Sequence, residues 1–437
     1  KGASLMNITN EKIFFDPALQ AEIKERFYYV NEDDRSRKRQ FFENSGGSLR
    51  LKASVEAKAR FERIPDCPER VHDIAMSLKQ TKADGLRDIM QIIFGAVPNS
   101  GALVTELTAS QVMFQIVRVI MENVAGTNAV VTSLEHPSAY DSVELYCRRT
   151  GKEFRIAQTN PATGGVDIAE ILRHVDKNTS LLSVMSASNI SGNIFDIAKI
   201  AAEARKINPD IYIVSDAVQH MPHGVLDVEA WGLDGCTFAP YKAFGIRGCG
   251  FGYVSDRVAK MEHHKSLAKP EKEWELGTFP HPNYAAITAV VDYVCWLGSH
   301  FTQSADRRTL FVAGMEHIHL QEHSLLLHMM EGTPEIPGLR HIPGVTVCVD
   351  SADDVDRDLI SAIHISGLEM PQATAEFYKR GVTLYDRVNT SLYSKRLVES
   401  LGLTGVLRVS PLHCHDTGDI DDFLRVTADI AKLYYER

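Results

Sequence analysis

An α/β fold is predicted: a large, doubly wound, mostly parallel sheet, followed by a smaller α+β C-terminal domain. Three observations carry this. Short apolar runs recur at 102–107, 128–132, 153–158, 180–186, 210–215, 235–239 and 251–254. Helical patterns at 109–123, 138–149, 167–175 and 196–206 separate many of them. Strands alternating with helices of that length need crossover connections, and so parallel strands with helices on both faces. After about 283 the pattern turns long and helical to 331. Short strand runs (GVTVCVD, LISAIHI) follow, with helices expected at 370–380, 391–402 and 418–435. This gives a division into an N-terminal segment, 1–45, packing on the small domain, a large domain, 46–300, and a small domain, 301–437.

The chain has 437 residues, 44% hydrophobic and 24% charged, with a formal net charge of −10. There is ample apolar material for a core, so disorder is excluded. An acidic chain lacks the cationic field that phosphate contact needs, so no nucleic-acid partner is expected. No stretch approaches the roughly 20 consecutive apolar residues of a membrane helix, so no membrane partner is expected. The seven cysteines are scattered and never in a CxxC pair. That argues against a disulfide framework and for a cytoplasmic home. Lys1–Asn7 has no apolar signal-like run, in line with that expectation.

In the N-terminal segment, the mixed run Asp33–Arg39 reads as a solvated helix face or loop. Phe41 to Gly47 reads as a short strand entering a glycine turn.

In parallel sheets the ligand lies beyond the carboxyl ends of the strands, so the polar residues there carry the functional argument. Asp216 follows the run 210–215, at the C-terminal end of the expected strand. Lys242 follows the run 235–239, ahead of the glycine-rich stretch 245–252. An acid and a lysine on neighbouring strand ends suit pyridoxal phosphate (PLP). The amine can form a Schiff base with its aldehyde, and the carboxylate can pair with its ring nitrogen. Thr108, Ala109 and Ser110 open a helix. They read either as simple caps or as a phosphate cradle of hydroxyls and free N–H groups. His136 reads either as a loop histidine or as a flat ring stacked on a flat cofactor. Asn189 and Gln219 are neutral amides able to bond a phenolate oxygen.

This ordered set resembles the fold-type I PLP enzymes of the class V aminotransferase superfamily, most closely the cysteine desulfurase-like branch. The matching pieces are Thr108-Ala109-Ser110, Glu135-His136, Ser188-Asn189-xx-Gly192, Asp216-xx-Gln219, Lys242, Glu275-Leu276-Gly277-Thr278 and Leu407-Arg408-Val409-Ser410. The resemblance implies Lys242, Asp216 and His136 as catalytic residues. It implies Thr108, Ala109, Ser110, Asn189, Gln219, Tyr241, Gly277 and Thr278 as cofactor-binding residues, the last two reaching a neighbouring subunit's phosphate in a homodimer with a shared active site. Arg408 would clamp a substrate carboxylate, with Arg387 and Asn44 as further substrate contacts. The implied chemistry passes from the Lys242 Schiff base to a quinonoid intermediate on an amino acid or amine.

Where the family carries a Ser and a His before the lysine, this chain has Ala239 and Tyr241. Cysteine desulfurases need a nucleophilic thiolate about fifteen residues before the arginine, and the segment 384–400 has no Cys. Transamination or elimination-type lyase chemistry remains, with amino-acid epimerisation as the alternative. A different class, zinc hydrolysis, is spelled by His319, Glu322 and His323 as HxxEH on a helix. His413-Cys414-His415-Asp416 reads as pocket wall.

Overall fold

The computed structural model describes residues 12–65, 70–350 and 356–435. Cys67 lies outside them. A short strand, β1 (Gln40–Phe41), precedes the large sheet. That sheet comprises β2 (Gly101–Glu106), β3 (Asn128–Thr132), β4 (Glu153–Ala157), β5 (Thr179–Ser183), β6 (Tyr212–Asp216), β7 (Gly235–Phe238) and β8 (Gly250–Ser255). The strand order is β2-β8-β7-β6-β5-β3-β4. Strand β8 is antiparallel to both of its neighbours, while the pairs from β7 across to β4 are parallel. The reason is the connection. Residues 239–249 contain no crossover helix, and a parallel return needs a dozen or more residues, usually including one. Lys242 sits in this short connection.

Strands β3 and β5 are buried at every position, as expected of strands covered on both faces. Their side chains alternate between two cores. Val130, Leu182 and Ile213 face one, with Ile171 and Ile200. Ala129, Val131 and Val214 face the other, with Ile116, Ile120 and Val143. The helices Ile168–Arg173 and Ile197–Ile207 therefore cover one side, and Ala109–Asn123 and Pro137–Thr150 the other. The sheet is doubly wound, as predicted.

The C-terminal part holds β9 (Val345–Cys348), β10 (Ser361–Ile365), β11 (Val382–Thr383), β12 (Tyr385–Val388) and β13 (Gly405–Val409). Four of these form an antiparallel sheet in the order β12-β13-β10-β9. Ile363, Leu407, Val409, Phe377 and Phe423 form its core. The long helical stretch after 283 is two helices, His281–Gly298 and Arg307–Glu331. The helix expected at 391–402 spans only Lys395–Ser400. The polar run before it turns instead, with Ser391 O accepting from both Ser394 N and Lys395 N; such residues favour turns.

The described part of the N-terminal segment, from residue 12, contacts the C-terminal part. Strand β1 pairs in parallel with β11, and Phe42 enters the C-terminal core. In the helix Pro17–Glu25, Gln20 donates to the carbonyls of His413 and His415, and Lys24 pairs with Asp416 and Asp419 at 2.7 and 2.8 Å. Among the described residues, no helix is long and apolar enough to cross a membrane.

Candidate active site

A cavity of about 200 Å³ opens at the carboxyl edge of the parallel strands. Its walls include Thr108, Ala109, Ser110, His136, Asn189, Asp216, Gln219, Tyr241 and Lys242. Residues far apart in the chain converge because the parallel strands all end on one edge.

Thr108 caps the helix Ala109–Asn123, its hydroxyl accepting from Gln111 N at 3.2 Å. First-turn N–H groups have no acceptor within their own helix, so Ala109 and Ser110 offer donors at the positive end of a helix dipole. The loop is packed down on Gly250. A Cβ there would clash with the backbone of Thr108 and Ala109.

His136 precedes Pro137 at the start of the next helix. Its Nδ1 accepts from Ser138 N at 3.2 Å and lies 2.7 Å from Ser138 Oγ. Accepting the N–H requires a bare Nδ1, so Nε2 carries the proton of the neutral ring. Burial pushes the imidazole down to about 4, helped by Lys242 and Arg396, so the ring is neutral at physiological pH. Behind it, Glu135 is fully buried and accepts from Thr132 Oγ1 and Met185 N, both at 2.9 Å. Burial pushes its carboxyl up to about 8, making it a neutral brace between the ends of β3 and β5.

Asp216 ends β6 and accepts from Val218 N at 3.0 Å. Burial raises its carboxyl above the ordinary range. Lys242 Nζ donates to Gln219 Oε1 at 3.4 Å, and Gln219 Nε2 donates to Ser45 Oγ at 3.4 Å. Burial pulls the Lys242 ammonium down to about 7, with Arg408 adding to the effect and Asp216 opposing it. The amine is therefore part neutral, and nucleophilic, near pH 7.

The lysine connection is strapped by the loop 44–51. Ser48 N and Arg50 Nη1 both donate to Tyr241 O, at 3.0 and 2.5 Å. Phe244 takes the left-handed conformation, φ 62°, which is costly for a bulky residue. Ser48 Oγ accepts from its N–H at 2.8 Å, and its carbonyl accepts from Leu51 N at 2.9 Å.

These groups fit PLP by their chemistry. A helix N-terminus with two hydroxyls suits the phosphate, a neutral flat imidazole suits a ring face, a buried carboxylate suits a pyridinium, and a depressed lysine suits an aldehyde. Ala239 and Tyr241 line the wall where the resemblance expects Ser and His. Burial raises the Tyr241 phenol, which leaves it a protonated hydrogen-bond donor.

Other expected residues have different surroundings. Gly277 and Thr278 lie outside this cavity, exposed beside Lys82 and Glu275. The Asn44 amide is engaged by backbone groups. It donates to Phe41 O and Ser410 O and accepts from Leu49 N, because the glycine turn needs those backbone groups satisfied. Arg408 is not an open clamp. It is 1% exposed, and its guanidinium pairs with Glu43, as does that of Arg387. The HxxEH reading is corrected too. Glu322 is spent on His223 Nδ1 at 2.7 Å and His413 N at 3.0 Å, so it is no free base. His413, Cys414 and His415 lie in the core rather than in the cavity wall, with Tyr293 Oη 2.7 Å from His413 Nε2. Sequence reasoning missed Ser45, Arg247 and Arg396 as well as Glu43. Each stood in a segment already marked, Arg247 in the glycine-rich stretch, Glu43 and Ser45 in the strand and turn 41–47, and Arg396 in the helix expected at 391–402, but none was singled out.

The Aminotransferase class-V family profile matches residues 67–322. A cysteine desulfurase of Cronobacter sakazakii is 25% identical over 232 residues, 49% of this chain and 52% of that one. A cysteine desulfurase of Salmonella choleraesuis is 26% identical over 194 residues, 40% of this chain and 47% of that one. The chain thus spans about half the length of the curated relatives it matches. A cysteine desulfurase structure from Thermococcus onnurineus superposes with a TM-score of 0.79 at 18% identity, covering 97% of this chain and all of that one. One from Escherichia coli gives 0.75 at 17%, with the same coverage. At these identities the superpositions establish the fold. The class V family consists of PLP-dependent enzymes. With more than half of its length matched and the lysine, acid and helix N-terminus gathered at one sheet edge, this chain belongs to the aminotransferase class-V family.

Proposed function

We propose that this protein is a PLP-dependent aminotransferase or elimination-type lyase acting on a small amino acid or amine. One observation carries the reading: a buried Lys242, depressed to about 7, shares a cavity with Asp216 and the helix N-terminus at Thr108–Ser110. Bound PLP supplies an electron-accepting ring.

The chain's own residues do the rest. Thr108, Ser110 and the Ala109 N–H would hold the phosphate. Buried Asp216 would keep a proton on the ring nitrogen by charge. Neutral His136 would cover a ring face and exclude water. Lys242 Nζ takes the proton from the substrate Cα and returns it, a task suited to a group titrating near 7.

Persulfide chemistry has no support in this site. The described cysteines are all buried, and burial pushes the Cys414 thiol well above its ordinary value. Thiolate nucleophiles need the opposite environment. A homodimer is part of the proposal: exposed Gly277 and Thr278 would complete a second copy's phosphate site. A cytoplasmic location is also part of it, supported by the free thiols.

The test is the visible spectrum of PLP-loaded protein beside Lys242→Ala. A band that borohydride bleaches, absent in the variant, supports the reading; its absence from the wild type overturns it. Amination of the cofactor reversed by a ketoacid marks an aminotransferase, and ammonia release without one marks a lyase. A fully active monomer in light scattering overturns the dimer.

A further inference from the structure

Arg408 on β13 and Arg387 on β12 share a sheet face. Arg408 lies opposite Tyr385, two residues from Arg387, and side chains two apart point the same way. A carboxylate already sits between them. Glu43, only 3% exposed, receives Arg408 Nη2 on Oε1 and Nε on Oε2, the latter at 3.3 Å, and Arg387 Nη2 on Oε1. This is the side-on, two-bond grip by which arginine holds a carboxylate. Nη1 of Arg408 is also engaged, donating to the Asn189 carbonyl at 3.0 Å. The guanidinium thus lies behind Asn189, a residue of the cavity wall.

Glu43 is not a side chain that swings freely. The next residues are pinned to β13: Asn44 N donates to Ser410 O at 3.2 Å, Ser45 N to Ser410 Oγ at 3.0 Å, and Ser410 N to Phe42 O at 2.7 Å. Gly46 crosses over the pair, and a Cβ there would come within 2.6 Å of Glu43 Oε1. Expelling Glu43 would strand a buried charge, which is strongly unfavourable.

We propose that Glu43 is a specificity-determining residue. It is a built-in carboxylate that fills the place of a substrate carboxylate on Arg408 and Arg387, so the site selects an amine presenting no carboxylate there. The inference rests on the cavity being a PLP site for amines, and it narrows the substrate class from amino acids and amines to amines. A carboxylate-bearing substrate would have to break two charge-assisted pairs to gain equivalent ones. A decarboxylated substrate leaves both pairs to Glu43 intact.

The experiment titrates the visible band of PLP-loaded protein with matched probes: ethylamine against L-alanine, and 2-phenylethylamine against L-phenylalanine. Wild type, Glu43→Gln and Glu43→Ala are compared. Wild type should hold the amines more tightly. Both variants should shift the ratio toward the carboxylate-bearing probe by about tenfold or more, the scale of a hydrogen-bonded charge. If wild type holds the carboxylate-bearing probes as tightly as the amines, or if the ratio is unmoved in both variants, the proposal is overturned. A purely structural ion pair would not move that ratio. Should Glu43→Ala fail to fold, Glu43→Gln carries the comparison.

A second readout needs no cofactor. Acetate should raise the melting temperature of cofactor-free Glu43→Ala saturably, by filling the vacated fork, and leave wild type unchanged. No acetate effect on a folded variant overturns Glu43's place. A wild type that never develops a PLP band removes the reading of the cavity instead, so the two failures are told apart.

Discussion

Arg396 donates to the backbone carbonyl of Glu135 at 2.7 Å. It also donates to Ser133 O at 2.5 Å, and its guanidinium lies 3.8 Å over the Tyr140 ring. A residue of the C-terminal part thereby fixes the strand end that carries His136. Arg396→Ala should weaken PLP binding severalfold and lower stability by about 1–3 kcal/mol. Arg396→Lys should not restore either, because an ammonium cannot stack and reach both carbonyls in the same way. Cofactor titration and thermal melts check both; unchanged values in the two variants would show that the contact does not position His136.

Lys242 makes stability depend on pH. Its folded value, about 7, lies below the ordinary 10.5 because of burial. Between those values the unfolded chain binds more protons, so stability rises with pH. The cost of the buried lysine is full below about 7 and fades as pH approaches 10.5. Cofactor-free Lys242→Met should therefore be more stable than wild type at pH 7, with the gap narrowing by pH 9.5. Paired thermal melts at the two values measure it. A gap independent of pH would mean that the lysine is not depressed.

Gly250 is required by close approach rather than by its backbone angle. Its α-carbon passes under the Thr108–Ala109 backbone, which cannot shift without moving the helix N-terminus. Gly250→Ala should lower PLP affinity tenfold or more while keeping the fold's circular dichroism. Wild-type affinity in that variant would show that the loop is not rigidly seated.

Cys414→Ala tests the chemistry from the other side. With the thiol fully buried and held protonated, turnover with any amine substrate should stay within about twofold of wild type. A loss of a hundredfold would place a persulfide step in the mechanism.

Glu322 and His223 form a buried pair that helps hold the N-terminal segment, through His413. Glu322→Ala leaves the buried His223 ring and the His413 N–H without their acceptor and should cost about 3–5 kcal/mol. Chelators should leave the melt unchanged; a chelator-sensitive melt would return the HxxEH motif to consideration.

Local pattern alone accounts for the alternating strands and helices, the doubly wound sheet, and the positions of Thr108, His136, Asp216 and Lys242. Each stands at a strand end or helix start, where side-chain periodicity and turn chemistry mark the boundary. Strand direction is different: β8 runs antiparallel because residues 239–249 leave no room for a crossover, a matter of connection length. The partners of Arg408 are further still from local pattern. Glu43 is separated from it by hundreds of residues, and their meeting depends on β1 pairing with β11 and on Ser410 binding the loop after Phe42. An arginine in a family-like motif reads as an open clamp until folding shows what fills it. Ion pairs between distant segments leave no periodic trace in a chain; only packing brings their charges to within bonding distance.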